Sequence, residues 1–166
     1  VRDWEVCIEW LQGAGAPQDL LRRARGRRGI VRESLEPVDL SQLEPPASAW
    51  KKNSESLEQL RLRVLPKARR QVTKRLRGIN WNAAEERHRL RIAVKRLRYA
   101  TDSLGGQAHT LERLQDRLGE LNDLAVARGL LAHLRPPASL LRKLAADERR
   151  LLAALRRQLA ALEPED

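Results

Sequence analysis

The sequence predicts an all-α fold, an antiparallel helical bundle, and three observations carry that expectation. The apolar residues are almost wholly Leu, Ala, Val and Ile, with no Phe, no Met and one Tyr. Leu and Ala without β-branched runs favour helix over strand. Leucines recur at three- and four-residue intervals, and Gly and Pro break the pattern at helical lengths. Strand signals are absent throughout, and a chain of 166 residues fits one domain spanning 1–166.

The elements follow in order. Residues 2–12 carry Trp4, Val6, Cys7, Ile8, Trp10 and Leu11 and read as a short helix stopped by Gly13 and Gly15. A second helix is expected from Pro17, suited to a first turn, to Glu36, weakened by Gly26 and Gly29. Residues 39–49 hold two adjacent prolines, Pro45 and Pro46, with acidic residues and read as an internal linker. A third helix is expected over 55–77, kinked or restarted at Pro66.

The next helix, over 83–104, has Asn82 followed by Glu85 as a capping signal and Gly105 and Gly106 as its end. Residues 110–134 are helical in composition. Gly119 followed by Asn122 and Asp123 predicts one helix stopping and another being capped there, so both polar residues are assigned to structure. Pro136 and Pro137 end that stretch, and an amphipathic helix follows over 138–162.

The formal charge is +11, supplied mostly by Arg, whose planar fork of donors suits phosphate oxygens. A single cysteine, Cys7, excludes an internal disulfide framework and makes a reducing cytoplasm the expected home. No apolar run approaches the roughly 20 residues that span a bilayer, so no membrane partner is expected. Zinc needs three or four converging ligands, whereas His109 and His133 lie far from His88 along the chain. No metal or other cofactor is therefore expected.

Placement of the charge is more informative than its amount. At about 100° per residue, His88, Arg91, Lys95 and Arg98 fall within roughly 80° of one helix face and form a stripe about 15 Å long. No acidic residue lies between Arg87 and Arg98. Like charges three and four residues apart repel, a cost that a polyanion relieves. A solvated helix face is the competing interpretation. Lys67, Arg70, Lys74 and Arg77 repeat the same spacing on the preceding helix. Packed as an antiparallel hairpin, the two helices would set these stripes across a groove suited to an extended anion. His88 reads as a donor to phosphate or as a bridging or capping group within the bundle. Tyr99, at the stripe's edge, reads as a packing residue with a wet tip.

One internal repeat is visible. Val1-Arg2-Asp3-Trp4-Glu5-Val6 resembles Leu121-Asn122-Asp123-Leu124-Ala125-Val126, with a Leu five residues after each Val. The second copy is preceded by a helix pair and the first begins at residue 1. With no initial Met, the expectation is a piece of a longer protein.

The segment His88-x-x-Arg91-x-x-x-Lys95-Arg96-Leu97-Arg98-Tyr99, followed by Leu114-Gln115-Asp116-x-Leu118-Gly119-x-x-Asn122-Asp123, resembles the second half of a CHAD domain, the conserved histidine α-helical domain. Val1-Arg2-Asp3-x-x-Val6 is similar to the end of that family's first half. The resemblance covers essentially the whole chain. It implies a pseudo-symmetric domain of two helical bundles, here N-terminally incomplete with the first helices missing, and inorganic polyphosphate as ligand. It also implies phosphate contacts from His88, Arg91, Lys95 and Arg98, with Arg70, Lys74 and Arg77 beside them, and an association with polyphosphate granules. Arg87 stands where the family usually has an apolar residue, and Asp102 where it usually has Glu.

Binding without catalysis is the expected activity. The sequence has no G-x-x-x-x-G-K-[ST] loop and no acidic cluster of the kind that holds Mg²⁺ for phosphoryl transfer. A nucleic-acid-binding helical protein is the main alternative, but sequence readers need side chains for base edges and single-strand binders need aromatic platforms, and aromatics are scarce beside the basic segments. A helical scaffold for protein partners is the third.

Overall fold

The computed structural model describes residues 1–35 and 56–160, which form six helices and no strand. They are α1 (Arg2–Gly13), α2 (Gln18–Glu33), α3 (Leu57–Leu76), α4 (Ala84–Ser103), α5 (His109–Ala132) and α6 (Ala138–Ala160). The expected linker at 39–49 lies outside the described residues.

Helix α5 is the hub, packing against α4, α1 and α6, while α2 packs on α1 and α3 on α4. Two apolar cores result. One gathers Trp4, Cys7, Ile8 and Leu11 of α1, Leu20 and Leu21 of α2, and Ala127 and Leu131 of α5, closed by Leu140 and Leu144 of α6. The other joins Val72 of α3, Leu90, Val94 and Leu97 of α4, Leu114, Leu118 and Leu121 of α5, and Leu155 of α6. The two longest helices, α5 and α6, thus contribute to both cores, their first and second halves serving different partners.

Four expectations about local structure need correction. Pro66 neither ends nor restarts α3, which is one helix through it. Proline deletes the bond to the carbonyl of Leu62, but Leu62 is 70% exposed, so that turn faces water. The start of α3 is instead marked by a capping box: Ser56 Oγ accepts from Gln59 N, and Gln59 Oε1 accepts from Ser56 N. Helix α2 begins after Pro17 rather than on it, and ends at Glu33 rather than Glu36.

Asn82 does not cap α4, because the N-cap is Ala83, without a side-chain bond. The approach to α4 is fixed one turn earlier, where Asn80 Oδ1 accepts from Asn82 N and Glu86 Oε2 accepts from Asn80 N. The end at Gly105 and Gly106 is as expected. Gly105 has φ +75°, and a Cβ on Gly106 would lie 2.7 Å from Thr101 Cγ2.

Most consequential is α5, a single helix from His109 to Ala132 with Gly119, Asn122 and Asp123 in its interior. The assignment of Asn122 and Asp123 to a helix cap is therefore wrong. Gly119 costs about 1 kcal/mol of helix stability. Leu114, Leu118, Leu121, Leu124, Ala127 and Leu131 supply an unbroken buried face across it, and each buried Leu contributes about 2 kcal/mol. Burial wins over propensity, and the polar pair is carried to mid-helix.

Candidate functional site

Helix α4 has three faces. Leu90, Val94 and Leu97 point into the core. One flank, carrying Arg89, Ala93 and Arg96, meets α3. The other, carrying His88, Arg91, Lys95 and Arg98, turns towards α5. His88 Nδ1 lies 3.0 Å from Asn122 Oδ1. That oxygen can only accept, so the ring donates from Nδ1 and keeps Nε2 for another partner. Ten residues on, Arg98 reaches Glu112 Oε1 at 3.6 Å and Asp102 Oδ2 at 4.0 Å. These two contacts define one antiparallel register, in which Arg91 comes opposite Gly119 and Lys95 opposite Gln115.

The stripe is thus tied at both ends and open in the middle. Arg91 makes no hydrogen bond or ion pair with any described residue, and its Nε is buried without a partner. Among the described residues Lys95 has only the ring of Tyr99, 5.5 Å from Nζ. Arg98 leans on the same ring at 4.8 Å, so Tyr99, 47% exposed, is shared by two cations. Gln115 Oε1, on the α5 side, is likewise buried and unbonded.

Acids absent from α4 between Arg87 and Arg98 arrive from α5. Asp123 interacts electrostatically with Arg91, and its carboxyl is held above the ordinary carboxylate value. Burial is the largest cause. A hydrogen bond from Asn122 and the charges of Arg91 and Arg2 oppose the rise, and the neighbouring charge of Asp3 adds to it. Asp3 and Asp123 are equivalent positions of the internal repeat. Their proximity shows the two copies meeting where α1 packs on α5.

The second predicted stripe does not face the first. The groove between α3 and α4, about 460 Å³, receives Lys67 alone of the eight predicted residues. Its other cations are Arg63, Arg75, Arg89 and Arg96, over a floor of Val64, Ala68, Ile92 and Ala93. Arg70, Lys74 and Arg77 line a separate hollow with Thr73, and Lys74 and Arg77 also border one with Glu86 and Arg89 near the start of α4, away from the His88 stripe. The physical reason is the three-faced geometry of α4: α3 occupies one flank and the His88 stripe occupies the other.

Sequence reasoning missed Asn122, Asp123, Gln115 and Glu112, the α5 side of the seam. Their signal was available in the spacing of 112, 115, 119 and 122, which places them on one face once the helix is taken as continuous. Arg87 is a different case. It is 4% exposed and donates to Trp81 O at 2.6 Å and Glu148 Oε1 at 2.7 Å, while Arg128 donates to Glu148 Oε2. That network pins the start of α4 to α6 and takes Arg87 out of the exposed cationic surface.

Among the described residues no group of three or more His, Cys, Asp or Glu is placed to hold a metal ion. No helix there is long and apolar enough to cross a membrane. Neither the curated proteins nor the solved structures give a match to the chain. The family model of the CHAD domain matches residues 1–132. With the match running from α1 through the last residue of α5, and so over both copies of the repeat and the whole α4–α5 seam, the chain belongs to the CHAD domain family.

Proposed function

We propose that this protein binds inorganic polyphosphate, or a polyanion like it, along the α5-facing flank of α4, and that it does so without chemistry. Family membership supports the choice of ligand, since the family is linked to polyphosphate binding in general. The observation that carries the reading is the open centre of the seam. Arg91 and Lys95 lie one helical turn apart there, with no protein acceptor among the described residues for either.

A half-buried guanidinium with unmet donors is costly, and phosphate oxygens satisfy it through charge-assisted bonds. His88, fixed by Asn122, offers Nε2 at one end of the same face. Arg98 offers what Glu112 and Asp102 leave free at the other. An extended anion would pass several such donors in succession, whereas one phosphate would not reach both ends. The cations in the α3–α4 groove and in the hollows lined by Arg70, Lys74 and Arg77 strengthen the surrounding positive field. Association with polyphosphate granules follows from the same reading.

The test is a titration of the protein with long-chain polyphosphate at low and moderate salt, with DNA as competitor at matched phosphate concentration. Polyphosphate is expected to bind and to displace DNA, and Arg91→Glu with Lys95→Glu to abolish binding while leaving the helical content intact. DNA winning the competition would favour the nucleic-acid reading. Turnover of polyphosphate with Mg²⁺ or Mn²⁺ would refute the non-catalytic part.

A further inference from the structure

Gly119 lies in the interior of α5, and a glycine there is less stable than alanine. Such a residue is commonly kept because a neighbouring side chain or backbone needs the space, as at Gly106. At Gly119 that explanation fails, because among the described residues a Cβ would meet nothing within 4 Å beyond its own helix backbone, and that backbone is ordinary helix. Gly26, Gly29 and Gly129 are equally open, so openness alone selects nothing. Gly119 is distinguished by what surrounds it. It lies opposite Arg91 in the register set by the His88–Asn122 and Arg98–Glu112 contacts. One turn before it is Gln115, with a buried unbonded oxygen, and one turn after it are Asn122 and Asp123.

From this arrangement we infer that Gly119 is the floor of a phosphate subsite: its missing side chain lets one phosphate group of the chain settle between α4 and α5, against Arg91 and Lys95. The inference rests on the polyphosphate reading and adds where the ligand is seated and what sets its depth. Phosphate oxygens reach a helix surface closely only where no Cβ stands in the way. With Asn122 orienting His88 on one side and Arg98 held on the other, the bare stretch of α5 backbone at Gly119 leaves open space beside Arg91 and Lys95, neither of which has a hydrogen-bond acceptor among the described residues. Any side chain added there would project into the same space and hold the anion away from them.

Three variants test this: Gly119→Ala, Gly119→Leu and, as a control on the same helix, Gly129→Ala. Gly119→Ala and Gly129→Ala are both expected to raise the melting temperature by a few degrees, as alanine replaces glycine in an open helical position. Only the first should weaken polyphosphate binding, by roughly three- to tenfold, with Gly119→Leu losing more than tenfold while its circular dichroism stays helical. Stability rising as affinity falls is a combination that a purely structural glycine does not produce. Unchanged affinity in Gly119→Leu, measured against a wild type that binds, overturns the subsite and leaves the polyphosphate reading standing. A wild type that ignores polyphosphate overturns both.

Discussion

His88 donates from Nδ1 to Asn122 Oδ1 at 3.0 Å, linking α4 to α5 through the imidazole of the cationic stripe. The bond fixes the ring's orientation and its tautomer, leaving Nε2 for a ligand. Asn122→Ala is expected to leave the fold helical, because Asn122 is only half-buried. Polyphosphate affinity should fall about fivefold, the equivalent of one ordinary hydrogen bond of about 1 kcal/mol. A nitrogen NMR spectrum of the histidines checks the cause: His88 should pass from one tautomer to a mixture. An unchanged spectrum would sever the ring's orientation from Asn122.

The same pair shows how far the sequence could be read. The stripe on α4 was legible because four basic residues at helical spacing need only one helix to bring them together. The α5 half was hidden by a local rule: Gly followed by Asn and Asp resembles a stop and a cap. That rule loses here to the buried face running from Leu114 to Leu131, which only the packed structure reveals. The expected opposition of the α3 and α4 stripes failed for a related reason. Spacing fixes which residues share a face, but which flank each neighbouring helix takes is decided by the packing of Val72, Leu90 and Leu118 in the common core. Arg87 illustrates the remaining gap, since its partner Glu148 is 61 residues away.

Asp123 gives the site a pH dependence whose sign can be worked out. Its carboxyl titrates above the ordinary value, chiefly through burial, with Arg91, Arg2 and Asn122 opposing and Asp3 reinforcing the rise. A folded acid with a raised pKa holds its proton longer than the unfolded chain does. The penalty is therefore absent below the ordinary carboxylate value, grows as pH rises between the ordinary and the raised values, and is constant above. Asp123→Asn should be more stable than wild type at neutral pH, with the difference vanishing in acid. A negative charge beside Arg91 also repels phosphate, so affinity should climb as pH falls through this titration. Asp123→Asn should remove this contribution from the profile. Identical stability and affinity profiles in the two proteins would count against it.

Arg87 should behave oppositely to the stripe. It is buried, with Glu148 as its ionic partner and the Trp81 carbonyl as its second acceptor. Truncating one member of a buried pair strands the other, at a cost of about 3 kcal/mol. Arg87→Ala is expected to lose about that much in a denaturant titration, moderated by the contact from Arg128 that Glu148 keeps. The folded fraction should bind polyphosphate within about twofold of wild type. A variant that is stable but fails to bind would move Arg87 into the site.

Salt dependence separates cations that meet the ligand from those that only raise the field. Each phosphate contact releases about one condensed counterion, so the slope of log affinity against log salt counts contacts. Arg91→Ala and Lys95→Ala should each flatten that slope by about one. Arg156, which lies over the ring of Trp81 at 5.9 Å, is away from the seam, and Arg156→Ala should leave the slope unaltered. Equal changes from all three would mean a diffuse attraction without a defined track.

Cys7 reports on the other core, where α1, α2 and the second half of α5 meet. It is 0% exposed, and burial pushes its thiol up to about 11 from an ordinary value of 9.0. Only the thiolate reacts with disulfide reagents, so at neutral pH the native protein should label slowly, at the rate at which α1 lifts from Leu20, Ala127 and Leu131. Adding urea below the unfolding midpoint should accelerate labelling in step with the falling stability. The raised value also sets an alkaline limit. The unfolded thiol ionises first, so stability should decline as pH rises from about 9 towards 11, and Cys7→Ala should remove that decline at the cost of a small cavity. Rapid labelling of the folded protein at neutral pH, with no dependence on urea, would show that this core is open to solvent and that α1 is not anchored as described.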